Sequence, residues 1–347
     1  MNFFKWFLFP ISILYWFATS LRNYFYDFGV FQSHNFNIPT IGIGNITVGG
    51  TGKTPHTSYI TKLICTNNKV AILSKGYGRK SRNFQYVELN SKVNSVGDEA
   101  LQTKQNFPNQ IVSVDHKRAN GVSRILKDYP NITAIILDDV FQHRSINIGL
   151  NIVLIDFNRP IHKDYVIPMG ELREPSKCVK RADCIIISKC PEGLTLSQAE
   201  EMKRRLKCDK DVFFSFVRYD KIISVSDEKK QIDFSKIKKV LLVTGIAKNK
   251  PIVDFLESKN IDVTTLKFSD HYNYKNSDIE TILRKKNTIG KDTYILTTEK
   301  DVQKLKHFEK LNQQAVYYLK ISVDFLWNKD KFDKKITDYV RSNQKNS

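Results

Sequence analysis

A short apolar run, Ile38-Pro39-Thr40-Ile41-Gly42-Ile43-Gly44, leads into Gly49-Gly50-Thr51-Gly52-Lys53-Thr54 and then into a helical stretch from Pro55 to Cys65. Such a strand, glycine loop and helix leave few folds open. The glycines let successive backbone N–H groups curl around phosphate oxygens, the lysine reaches the outer phosphates, and the hydroxyl of Thr54 is placed for Mg²⁺. The helix that follows aims the positive end of its dipole at the same anion. Thr47 stands where a strict phosphate-loop pattern has its first glycine, so the assignment rests on this context as well as on the pattern. Thr47, Val48, Gly49, Gly50, Thr51, Gly52, Lys53 and Thr54 are therefore the expected nucleotide-binding segment, with ATP or GTP as ligand.

Further β-like runs follow at Lys69 to Ser74, Phe84 to Leu89, Ile111 to Val114, Thr133 to Leu137, Asn151 to Ile155 and Cys184 to Ser188. Several are continuously apolar, as strands buried on both faces of a parallel sheet must be. Helical stretches such as Lys117 to Lys127 and Ser197 to Lys207 alternate with them, which predicts an α/β fold: a P-loop NTPase-like domain built on a mostly parallel sheet. Around Arg218 to Ser235 the chain turns polar, and Asp227-Glu228-Lys229-Lys230-Gln231 reads as the exposed turn of a connecting hairpin. A second alternation starts at Val240 and predicts a smaller α/β domain. The expected division is 1–26, an N-terminal hydrophobic helix; 27–217, the P-loop domain; 218–236, a linker hairpin; and 237–347, a C-terminal α/β domain whose Lys- and Asn-rich tail after Asn328 is a solvated helix with a frayed end.

The N-terminal segment from Phe3 to Phe17 reads FFKWFLFPISILYWF, with Lys5 its only charge. Its uncharged stretch would be ~24 Å long as a helix, short of the ~30 Å hydrocarbon core, which argues against spanning. It lacks the small-residue cleavage site of a signal peptide. Tryptophans and tyrosines suit the headgroup zone, and Arg22 is placed to reach lipid phosphates, so insertion into one leaflet is the expectation; the competing reading is a helix docked on the protein's own core. The formal charge of +19 favours an anionic membrane, phosphorylated substrates or nucleic acid. No nucleic-acid-binding module is recognisable, so nucleic acid is not expected as a partner. Five cysteines without a C-x-x-C pair are no disulfide framework; Cys178, Cys184 and Cys190 read as core residues.

Two carboxylate pairs stand out. Asp138 and Asp139 close an apolar strand, where two adjacent acids are costly unless a cation neutralises them, and a phosphate-loop enzyme needs a carboxylate at such a strand end to hold Mg²⁺. Val96-Gly97-Asp98-Glu99 is less specific and reads equally as a helix start. Asp270-His271-Tyr272 places a lone histidine in the second domain.

Taken together these motifs resemble the tetraacyldisaccharide 4'-kinases, the lipid A 4'-kinases. The matching segments are Gly44 to Pro55, Gly76-Tyr77-Gly78-Arg79-Lys80-Ser81, Gly97-Asp98-Glu99, Asp138-Asp139-Val140-Phe141-Gln142-His143-Arg144, Leu172-Arg173-Glu174, Thr244-Gly245-Ile246-Ala247, Asp270-His271 and Thr298-Glu299-Lys300-Asp301. The resemblance implies transfer of the ATP γ-phosphate to the 4'-hydroxyl of an acylated glucosamine disaccharide 1-phosphate lipid, giving lipid IVA in lipid A biosynthesis at the cytoplasmic face of the inner membrane. It also implies roles: Lys53 stabilises the moving phosphoryl group, Thr54 with Asp138 or Asp139 holds Mg²⁺, Asp98 accepts the hydroxyl proton, and His271 reaches across from the second domain to orient it. Glu99, Gln142, His143, Arg173 and Glu174 are expected around the site, Arg173 as a phosphate clamp. Glu171 stands where the family is expected to carry proline, so the local turn is expected to differ. Two other classes stay open on the residues alone, a membrane-attached nucleotide switch and a nucleic-acid ATPase.

Overall fold

Isoleucine- and valine-rich runs with no polar face must be covered on both sides, and the structure buries Ile41, Ile43, Ile135, Ile136, Ile152 to Ile155 and Ile185 to Ile187 in the middle of one continuous sheet. The structure is a computed structural model that describes residues 3–66, 68–227, 229–312 and 314–344, with only the backbone of residues 3–5 and 312. Met1, Asn2 and the side chain of Lys5 from the N-terminal segment, Glu228 of the expected turn and the last three residues of the tail lie outside the described residues.

The strands are β1 (Thr40–Asn45), β2 (Val70–Ser74), β3 (Gln85–Tyr86), β4 (Ile111–Val114), β5 (Ala134–Asp138), β6 (Leu150–Asp156), β7 (Cys184–Ser188), β8 (Asp211–Ser224), β9 (Gln231–Ile232), β10 (Lys239–Thr244), β11 (Asp262–Lys267), β12 (Tyr294–Thr298) and β13 (Val316–Phe325). Their order across the sheet is β11-β10-β12-β13-β8-β7-β6-β1-β5-β2-β4-β3, with β9 paired to β8. Strands β7, β6, β1, β5, β2 and β4 run parallel to one another, as do β11, β10, β12 and β13. The parallel strands of the P-loop half therefore end together at one edge, where ligand sites of open α/β sheets form.

Strand β8 joins the halves. Asp211 to Phe214 pair in parallel with β7, and Ser215 to Ser224 pair antiparallel with β13. Strands β8 and β9 pair antiparallel, with the chain reversing at Asp227. The C-terminal helix Lys329–Gln344 corrects the expectation of a solvated tail: Phe332, Ile336 and Val340, spaced four apart on one stripe, are buried in the core beneath the phosphate-loop helix Lys53–Cys65. Tyr339 hydrogen-bonds the backbone of Thr40 at 3.2 Å, and Tyr59 of the phosphate-loop helix donates to Asp333 at 2.6 Å. The chain thus returns from the second half to brace the first. Cys178, Cys184 and Cys190 are buried and free, as read from the sequence.

The N-terminal helix Phe9–Asp27, preceded by a 3₁₀ turn, is built inside out. Its buried residues are Ser12, Thr19 and Asn23, while Trp6, Phe7, Phe9, Ile13, Leu14, Trp16 and Phe17 face outward, with Leu14 70% and Phe17 59% exposed. The inward seam is polar: Ser12 donates to Val166 O at 3.1 Å and accepts from Met169 N at 2.9 Å, and Tyr15 donates to Arg173 O at 3.0 Å. Arg22 corrects a second expectation, because it turns inward to pair with buried Glu174 at 2.7 Å. Among the described residues no helix is long and apolar enough to cross a membrane.

Candidate functional site

The phosphate loop hangs from the end of β1. Gly49 and Gly52 adopt φ of 86° and 87°, a region that costs side-chain-bearing residues energy, and each turns the chain so that the helix can begin at Lys53. The loop is held from outside: Asn45 Nδ2 donates to Thr47 O at 2.7 Å, Ser188 Oγ to Thr51 O at 2.7 Å, Arg159 to Val48 O at 2.9 Å, and Lys189 to Gly50 O. Thr47, the departure from the strict pattern, is buried and bridges to Leu172, and Val48 N donates to Glu171 O at 2.7 Å. Residue 47 thus works as a short edge of backbone pairing with the 171–173 segment. Glu171 also accepts from Arg159 at 2.6 Å, which gives its carboxylate a partner.

That pairing sets Arg173. Its guanidinium bonds Asp139 at 2.7 Å and Asn45 Oδ1 at 3.0 Å, while Lys53 Nζ lies 3.4 Å from the same Asp139 oxygen. The two strand-end acids are consequently different species. Burial alone would raise Asp139, but Lys53 and Arg173 hold its carboxyl well below the usual range. Asp138 is buried and pushed up to about 7, by burial first and then by the negative charge of Glu99, against which the charge of Lys53 is insufficient. It accepts from Thr57 Oγ1 at 3.3 Å and makes no ion pair among the described residues. Such a carboxylate is short of positive charge, the condition a divalent cation relieves. Among the described residues no three His, Cys, Asp or Glu side chains gather into a metal cage.

This difference has a measurable consequence without any metal. In the folded chain Asp138 keeps its proton up to about pH 7, whereas the unfolded chain releases it near 3.8, so across that window its contribution to stability falls as pH rises. His56 and His143 act in the opposite sense, since burial holds each at about 4 and the unfolded chain takes up their protons first as pH falls. The difference between wild type and Asp138→Asn isolates the carboxylate. Urea midpoints in Mg²⁺-free buffer should show the variant gaining on wild type between pH 5 and pH 7.5; a constant difference would remove the assignment.

Asp98 opens the helix Asp98–Asn106, which packs between the phosphate-loop helix and the short helix Val302–Leu305 of the other half. Gly97 makes this start possible: at φ 90° and ψ 154°, a Cβ there would meet Tyr77 O at 2.7 Å. Asp98 Oδ1 accepts from Glu99 N at 2.9 Å, and Oδ2 accepts from His271 Nδ1 at 3.1 Å and from Lys304 Nζ at 2.9 Å. Burial works to raise its pKa, but the His271 hydrogen bond and the charges of Lys300 and Lys304 prevail and hold it well below the carboxylate range. Lys300 adds contacts to Glu99 at 3.4 Å and to His271 Nε2 at 2.8 Å, and the Tyr77 ring lies 4.6 Å from the His271 ring.

The structure therefore brings Lys53, Asp138, Asp139 and Arg173 together at the loop, and joins Asp98 and Glu99 to His271 across the two halves. Gln142 donates to Asn45 O at 2.9 Å and leaves its buried Oε1 unpartnered, and His143 is neutral beside Arg118. Thr54 lies in the first turn of the helix that opens at Lys53. Glu174 is the residue not brought in: its buried carboxylate takes Arg22 at 2.7 Å, Asn23 at 3.3 Å and Arg181 at 2.6 Å, and so docks the N-terminal helix. A buried carboxylate with three donors is a satisfied anchor. Sequence reasoning missed Lys189, Arg159 and Lys304, and quoted Lys300 within the Thr298 to Asp301 segment without giving it a role. Asp139, Lys189 and His271 all hold left-handed backbone (φ 49°, 59° and 57°), each at a cost of about 1 kcal/mol or more, as do Lys207, Asn260 and Asn328 away from the site.

The family model for tetraacyldisaccharide-1-P 4'-kinase matches residues 4–341. A tetraacyldisaccharide 4'-kinase of Flavobacterium johnsoniae is 37% identical, covering 99% of each chain, and one of Flavobacterium psychrophilum is 39% identical over the full length of both. The crystal structure of the "apo" form of LpxK from Aquifex aeolicus in complex with ATP matches with a TM-score of 0.78 at 29% identity, covering 97% of this chain and 99% of that one.

Proposed function

The chain belongs to the tetraacyldisaccharide-1-P 4'-kinase family, and we propose on that premise how its own residues carry the reaction. The protein is a kinase that transfers the ATP γ-phosphate to the 4'-hydroxyl of tetraacyldisaccharide 1-phosphate, giving lipid IVA in lipid A biosynthesis. The observation that carries the assignment of roles is the meeting of Asp98 and His271, from opposite halves, at 3.1 Å.

The backbone N–H groups of Gly49 to Gly52 cradle the phosphates, and Lys53 meets the charge that gathers on the transferred group. Arg173, already aimed at Asp139, clamps an outer phosphate oxygen. Thr54 with Asp138 or Asp139 would hold Mg²⁺; Asp138 is favoured, since Asp139 is neutralised by Lys53 and Arg173. When bound, the metal would supply charge neutralisation at the transferring phosphates. The acceptor oxygen bonds to the γ-phosphorus, the bond to the bridging oxygen breaks with its electron pair left on ADP, and the hydroxyl proton passes to Asp98. A weakly basic carboxylate suffices, because in a loose transition state the attacking oxygen becomes strongly acidic only late. The working division is that residues 27–217 bind nucleotide, the hairpin region 218–236 links, and 237–347 delivers His271.

The lipid acceptor explains the inverted helix. A face of seven large apolar side chains over a polar seam suits burial in one leaflet of the inner membrane, from its cytoplasmic side, better than exposure to water. A groove of about 260 Å³ between Phe9, Ile13 and Trp16 of the helix and Tyr165, Val166 and Leu172 is placed to receive an acyl chain. Leu14→Glu with Phe17→Glu, both outward-facing, should abolish flotation with anionic vesicles while leaving the melting temperature unchanged; retained flotation would contradict the membrane assignment. ATP consumption should in turn depend on the lipid acceptor, since acceptor-independent hydrolysis would fit a nucleotide switch.

A further inference from the structure

Lys300 lies on the loop after β12, in the second half of the molecule, and its ammonium reaches His271 Nε2 at 2.8 Å. Two carboxylates balance its charge, Glu99 at 3.4 Å and Asp270 at 3.7 Å. An ammonium has protons to donate and no lone pair to accept. The contact with Nε2 therefore requires that nitrogen to be bare, so the ring's one proton sits on Nδ1, and Nδ1 is the atom 3.1 Å from Asp98 Oδ2.

We propose that Lys300 is a positioning residue that fixes His271 as the neutral, Nδ1-protonated tautomer, so that the imidazole donates to Asp98 and cannot itself take the acceptor's proton. The proposal rests on the reading of this site as the phosphoryl-transfer centre. Its consequence is an assignment of proton traffic: the only lone pair His271 has is engaged by Lys300, which leaves the Asp98 carboxylate as the acceptor. Lys304, at 2.9 Å from Asp98 Oδ2, and Glu99 N, at 2.9 Å from Oδ1, fix the carboxylate from its other sides. The groups facing the His271 ring are thus Asp98, Lys300 and the Tyr77 ring, with Lys304 bearing on Asp98 and with Glu99 and Asp270 bearing on Lys300. The left-handed backbone at His271, φ 57°, marks a residue held in place by its surroundings.

The test uses the full chain labelled with ¹⁵N-histidine, the His271 signal being identified among the seven histidines by its loss in His271→Gln. Wild type should show a protonated Nδ1 and a bare Nε2 in the absence of any substrate. In Lys300→Met the donor and its charge are gone, Nε2 is free to bind a proton as pH falls, and the imidazolium then grips Asp98 in a tight ion pair. kcat should fall by about 10- to 100-fold near pH 6.5 and recover toward pH 8.5, with KM for ATP unchanged, a limb that wild type lacks. Lys300→Arg, which keeps a charged donor, should keep the wild-type profile. A purely structural role would lower activity by one factor at every pH. A proton on Nε2 in wild type would overturn the proposal, as would a wild-type tautomer and pH profile in Lys300→Met; should that variant fail to fold, the wild-type tautomer decides. Failure of wild type to phosphorylate the lipid would refute the kinase reading and leave the tautomer result standing.

Discussion

Lys53→Met is expected to lower kcat by ~10³-fold. The ammonium of Lys53 lies 3.4 Å from Asp139, at the mouth of a loop whose other groups are mainly backbone N–H donors. Those donors bind ground state and transition state alike, whereas a mobile cation beside the outer phosphates gains most when charge moves onto the transferred group. ATP affinity should therefore weaken less than turnover falls. Single-turnover transfer from labelled ATP separates the two, and equal losses in both would show that Lys53 only binds. Removing Lys53 also leaves Arg173 as the single cation on Asp139, so nucleotide-free stability should change little.

Asp98→Ala is expected to cut turnover by ~10²- to 10⁴-fold with nucleotide binding nearly intact. Among the described residues the hydrogen-bond and ion-pair partners of Asp98 are Glu99 N, His271 and Lys304, none of them in the phosphate loop. The substitution leaves Lys304, 9% exposed, without its carboxylate, so Asp98→Asn serves as the control that preserves volume. Turnover close to wild type in a folded Asp98→Asn protein would take Asp98 out of the proton-accepting role.

The P-loop half was legible because its signals are local. Glycines at the loop, an apolar strand before it and a helix after it occupy some thirty consecutive positions, and the buried strands β1, β5, β6 and β7 announce themselves as unbroken aliphatic runs. Asp138 and Asp139 were legible as a pair, but not their separation into one buried, protonatable acid and one neutralised by Lys53 and Arg173, since Arg173 arrives from a segment more than thirty residues away. Lys304 has no local signature, and Lys300 stood inside a quoted segment without a role; both acquire meaning only against Asp98, some two hundred residues earlier. Other features were written locally and misread. Ser12, Tyr15, Thr19 and Asn23 form a polar stripe through an apolar run, the mark of an inverted helix, and Phe332, Ile336 and Val340 form the opposite stripe through a lysine-rich one. Weighing composition over phase made Arg22 a lipid contact and the C-terminal helix a solvated tail. Glu174 followed its neighbour Arg173 into the expected site although its side chain points to the N-terminal helix.

The measurement that bears most directly on the whole account is the position of the new phosphate on the product. Full-length protein incubated with ATP, Mg²⁺ and tetraacyldisaccharide 1-phosphate should yield a bis-phosphorylated lipid whose second phosphate is located at the 4' oxygen by mass spectrometry and ³¹P–¹H correlation. A folded protein that leaves the lipid mono-phosphorylated, or that places the phosphate on any other hydroxyl, would contradict it.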